Sequence, residues 1–94
     1  AYKKESDSPY ILDSIGWAYY LIGDYIKAEK FLKQAIEIMP YDPIINDHYG
    51  DILWGLNRKM QAQYHWKSVL KLEDTENDMK EKIKLKILFG PKNI

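Results

Sequence analysis

Ninety-four residues, 46% hydrophobic and 30% charged, suffice for one soluble domain with a continuous apolar core. Fourteen basic residues balance fourteen acidic ones, so no net field recruits nucleic acid or an acidic membrane surface. There is no cysteine, which excludes disulfide staples and thiolate metal sites, and no apolar run approaches the roughly twenty residues of a membrane span.

The first eight residues, AYKKESDS, are polar, lack the apolar segment of a signal peptide and read as a frayed tail. The chain opens on alanine rather than methionine, as an excised or processed piece would. Asp7-Ser8-Pro9 then predicts a helix start, with a capping side chain just before proline. Tyr10 to Ile22 is rich in aromatic and aliphatic residues around Gly16, and Gly23-Asp24 breaks it as a turn. A second helix is expected from Tyr25 to Met39. It carries Ala28, Leu32, Ala35, Ile36 and Met39 on one face and Lys27, Lys30, Lys33 and Glu37 on the other. Pro40-Tyr41-Asp42-Pro43 ends it, since proline cannot continue a helix and disfavours helical geometry just before itself. A third helix runs from Pro43 towards Asn57, capped by Asp42 and closed by Gly55 and Asn57. Gly50 within it costs about 1 kcal/mol against alanine, which predicts a close neighbour.

At Pro43 the pattern restarts. Pro9, Ile11, Asp13, Gly16, Ala28 and Lys33 recur at one constant offset as Pro43, Ile45, Asp47, Gly50, Ala62 and Lys67, so two copies of a helix–turn–helix are the economical explanation. Leu12, Ile15, Gly16, Tyr19, Ala28, Leu32, Ala35 and Pro40 stand at the spacings of the tetratricopeptide repeat (TPR). Asn46, Tyr49, Gly50, Leu53, Ala62, Trp66, Val69 and Asp74 follow in the second copy, with Asn46 and Asp74 departing from the pattern. The chain therefore resembles the TPR family over residues 9 to 89. Ile45 to Leu70 also looks like the closing repeats of alphaproteobacterial TPR proteins, a likeness that fits bacterial cytoplasm and periplasm equally.

The resemblance implies an all-α right-handed α-solenoid: repeats at 9–42 and 43–76, a capping helix at 77–89, and tails at 1–8 and 90–94. In that arrangement Gly16, Gly50, Ala28 and Ala62 are small because helices approach closely there, and Leu32 and Trp66 fill the space between units. The last segment, NDMKEKIKLKILFG, alternates like a strand over Lys82 to Ile87, yet Met79, Ile83 and Ile87 keep helical spacing. An isolated strand would leave unpaired edges, so a covering helix is expected. It would hide Tyr64, Val69 and Leu72 and turn Lys80, Lys82, Lys84 and Lys86 to water.

Chemistry-bearing motifs are few. His48 and His65 lie near possible ligands but not at a metal-binding spacing, and lone histidines on a helical repeat are chiefly packing or surface residues. Asp47 and Asp51 sit one turn apart, and Asp13 matches Asp47 one repeat earlier, but acid–base work needs a closed cleft. Phosphate loop, nucleophile elbow and catalytic triad are all missing. The expectation is a non-enzymatic chain with no cofactor and no metal site.

The resemblance implies a concave groove lined by the first helix of each pair, here Tyr10, Asp13, Trp17, Tyr20 and Leu21, then Ile44, Asp47, Asp51, Trp54 and Gly55. Half-buried packing explains Trp17, Tyr20 and Trp54 as readily as ligand binding does. Exposed aromatics beside acids would suit an extended peptide carrying lysine or arginine next to apolar residues. The carboxylate clamp of chaperone-binding relatives is set aside, because Asp13, Trp17 and His48 occupy its places with the wrong sign. Two functions follow: a protein- or peptide-binding scaffold, or an architectural end cap without a ligand. Ile11, Ile15, Tyr19 and Ile22 form a further apolar face that no earlier residues cover, which predicts self-association.

Overall fold

A computed structural model describes residues 8–91; of the tails expected at 1–8 and 90–94, residues 1–7 and 92–94 lie outside them. Five helices follow one another: α1 (Pro9–Leu21), α2 (Tyr25–Ile38), α3 (Pro43–Gly55), α4 (Lys59–Lys71) and α5 (Asn77–Phe89). The described residues contain no strand. The first helices of successive units begin at Pro9, Pro43 and Asn77, evenly spaced along the chain. So α5 continues the period as well as covering its end.

Local chemistry explains the boundaries. Pro9 and Pro43 occupy the first turns, where a missing N–H costs nothing. Asp42 caps α3 by accepting from the Ile45 amide at 2.9 Å, and Asp24 caps α2 through Lys27. The Ser8 side chain makes no such bond, contrary to expectation. Gly23 and Asn57, equivalent positions of the two repeats, turn the chain between paired helices with positive φ of 86° and 63°. Where the second repeat lacks its proline, Thr75 takes over. Its hydroxyl is buried and donates to the Val69 carbonyl at 2.9 Å, tying down the last turn of α4.

Each helix packs on its neighbours in sequence, and one core runs through all five, from Leu12 through Leu32, Ile45, Ile52 and Trp66 to Ile83. Gly16 and Gly50 mark the tightest approaches. A Cβ at Gly16 would collide with Leu32, and one at Gly50 with the ring of Trp66. Trp66 is fully buried, its Nε1–H donating to the Asp47 carbonyl at 3.3 Å. The coverage by α5 is narrower than expected. Val69 is buried, but Tyr64 stays 67% exposed and Leu72 only half-buried. Among the lysines assigned to water, Lys82 and Lys84 face it, whereas Lys86 is 4% exposed. That burial reshapes the groove.

Candidate interaction groove

The groove side is built from α1, α3 and α5. On α1, Trp17 and Tyr20 lie one turn apart and stack, ring centroids 4.6 Å apart. Trp17 also stacks on the His48 ring of α3, centroids 4.1 Å apart and nearly parallel. His48 is oriented by Asp13, whose Oδ1 sits 2.8 Å from its Nδ1. Three rings thus form one ledge spanning α1 and α3, held from behind by a buried carboxylate. Tyr10 lies at the N-terminal end of α1, exposed, its hydroxyl donating to Asp42 at 3.3 Å. Burial, aided by Asp51, Tyr25 and Asp47, pushes the Tyr20 phenol up to about 12, so it remains a neutral hydroxyl. At the other end Trp54 rests on Trp66, centroids 5.5 Å apart, with the Lys59 ammonium 4.8 Å over its ring and Gly90 against its edge.

The three carboxylates expected to open into this groove do not. Asp13, Asp47 and Asp51 are 7%, 7% and 4% exposed. Lys86 reaches from α5 to Asp47 at 2.7 Å and to both oxygens of Asp51 at 3.0 Å. Two carboxylates around one ammonium leave the cluster one negative charge in excess. Burial accordingly raises the Asp51 carboxyl to about 6, with Lys86 opposing the shift and Asp47 adding to it. The acids are consumed in holding first helices to one another: Asp13 to His48, and Asp47 and Asp51 to Lys86. Leu21 and Ile44 are open to solvent as expected, and Gly55 lies against Tyr25 while remaining exposed.

Two residues of this architecture escaped the sequence reading. Lys86 stands one repeat after Ile52, a buried position, so its register was the available signal. Asn46, at the register of buried Leu12, donates from Nδ2 to the carbonyls of Pro40 and Asp42 at 3.0 and 2.9 Å. A polar residue in a core register implies bonds built to receive it. Among the described residues no group of three or more histidines and acids is placed to hold a metal ion.

The paired helices, their constant period and the glycine approaches meet an independent observation: the family described as the tetratricopeptide repeat matches residues 9–42. Over α1 and α2, the first helical pair, the chain is similar to a tetratricopeptide repeat. A TPR repeat-containing protein of Pseudomonas aeruginosa is 41% identical to it over 51 residues, 54% of this chain. The chain spans 8% of that relative's length. No solved structure matches it. TPR repeats generally mediate protein–protein interaction and are typically non-enzymatic. The narrower likeness to alphaproteobacterial TPR proteins stays an expectation. Among the described residues no helix is long and apolar enough to cross a membrane.

Proposed function

We propose that this TPR unit is a protein-binding module that receives an extended segment of a partner along α1 and α3. The supporting observation is the ledge of Tyr20, Trp17 and His48, three stacked and half-exposed rings with Tyr10, Leu21 and Ile44 exposed on the same helices. Such rings offer a large contact area with little rotamer freedom to lose. Trp54 extends the surface towards α5. Asp13, Asp47 and Asp51 serve it from beneath by fixing the helices that carry the rings. The preference for lysine- or arginine-bearing peptides anticipated from these acids is therefore weak, and apolar and aromatic residues dominate selection.

The test is a peptide array probed with wild type, Trp17→Ala and Asp47→Asn. Trp17→Ala should weaken binding by about 2 kcal/mol while leaving the fold intact by circular dichroism. Peptides bound equally by wild type and Trp17→Ala would remove the ledge from the interface. A second reading is an architectural cap, and the clamp of Lys86 on α3 favours it for the C-terminal half. If no peptide in the array binds wild type, that reading takes over.

A further inference from the structure

On the side of the second helices, away from the ledge, a cleft of about 560 Å³ opens between α2 and α4. Ile36, Pro40, Tyr41, Tyr64 and Leu72 supply apolar walls, and His65 lines the cleft among them. The histidine's hydrogen positions follow from its neighbours. Asn46 spends both amide hydrogens on the carbonyls of Pro40 and Asp42, which fixes its Oδ1 towards His65 Nδ1 at 2.9 Å. An amide oxygen only accepts, so the shared proton belongs to Nδ1. Burial lowers the ring's pKa below its ordinary 6.5, so at neutral pH Nε2 carries a bare lone pair. Among the described residues no protein group bonds Nε2. Since no buried side-chain nitrogen or oxygen among the described residues lacks a partner, Nε2 must open to solvent.

We propose that this cleft is a second binding site, which takes a tryptophan side chain presented by a partner protein. An indole is a flat apolar body with one N–H and no acceptor, so its single polar atom pairs with the single bare acceptor and nothing is left unsatisfied. A carboxylate or carbonyl has no proton to give and is refused. The cleft is of ligand-site size, larger than one indole, and leaves room for the flanking residues. Glu37 on α2 and Lys71 on α4 line it from opposite helices, and neither forms an ion pair among the described residues. They complement a basic residue on one side of the tryptophan and an acidic one on the other.

The experiment uses the whole chain and a short peptide with tryptophan between lysine and glutamate, observed by the nitrogen resonances of His65. Binding should shift Nε2, persist in Trp17→Ala, and fall about tenfold or more when the indole nitrogen is methylated, as expected for one lost hydrogen bond to a desolvated acceptor. Affinity should also drop as pH falls and the imidazole takes a second proton. The other titratable groups around it are Tyr49 on α3, Glu37 on α2, Tyr41 in the connecting loop, and Tyr64 and Lys71 on α4, and none of these residue types ordinarily titrates near neutrality. His65→Phe should bind as weakly as the methylated peptide. Methylation reads the same contact on the unaltered protein if that variant fails to fold. Equal binding of the methylated peptide, or binding undiminished on full protonation of His65, overturns the proposal. So does equal binding of free N-acetyltryptophanamide and the flanked peptide, which would make the cleft a small-molecule site.

Discussion

At Gly50 a missing side chain lets the Trp66 indole lie directly against α3, and the two residues form one packing unit. Replacing Trp66 by alanine leaves a cavity in a fully buried position and should cost about 3–5 kcal/mol in chemical denaturation. Gly50→Ala probes the same contact from the other side. Its Cβ must displace the ring, so a loss of about 1–3 kcal/mol is expected. A variant as stable as wild type would show that Trp66 is not wedged there. Asp51 makes the opposite kind of claim, about pH. Its carboxyl is held at about 6 in the folded chain against an ordinary 3.8. Between those values the folded state keeps a proton that the unfolded state releases. The stabilisation from this group is complete below about 4 and is lost as pH rises through 6, on the order of 2–3 kcal/mol. Asp51→Asn removes the dependence, so its stability relative to wild type should improve from pH 4.5 to pH 7.5. No change in that difference would refute the assignment.

At the scale of elements, α5 depends on a charge rather than on a broad apolar face, since Ile83 is its one fully buried hydrophobic side chain. Lys86→Met keeps much of the volume but strands two buried carboxylates, and should cost about 3–5 kcal/mol. Adding Asp51→Asn should recover part of that loss; strict additivity would mean the groups do not interact. This cluster is also where reading the sequence stopped short. Pro9 and Pro43 start helices for local reasons, and Gly16 and Gly50 declare close approach by their recurrence, so α1 to α4 were legible almost to their ends. The burial of Lys86 depends on Asp47 and Asp51, far back in the chain on α3. Locally it is one lysine in an alternating run, and such runs usually face water. The carboxylates were misread for the same reason. Their spacing placed them on one face of α3, but only α5 decides whether that face is open.

For the whole molecule, the open balance lies at its first unit. Ile11, Ile15 and Tyr19 are half-buried, Tyr19 stacking with Phe31 at 5.7 Å, so the apolar face anticipated on α1 is partly used internally. The exposed part of it lies at the α1–α2 turn, where Ile22 of that face is 76% exposed beside Leu21 at 67% and Ile26 at 77%. A cluster of that kind favours self-association. Sedimentation should show mass rising with concentration, and Ile22→Glu with Ile26→Glu should return a monomer. A clean monomer for wild type at millimolar concentration would sink the idea.

Lys86 has one more consequence, for reagents rather than for stability. Its ammonium lies between two carboxylates, while Lys82 and Lys84 on the same helix stand in solvent. Acylation requires a free, deprotonated amine that the reagent can reach. The outer lysines should therefore modify quickly, and Lys86 only when the C-terminal helix lifts away. Mass-resolved labelling of that single side chain becomes a clock for helix opening, and any partner that pries the molecule apart at this end should make the clock run faster.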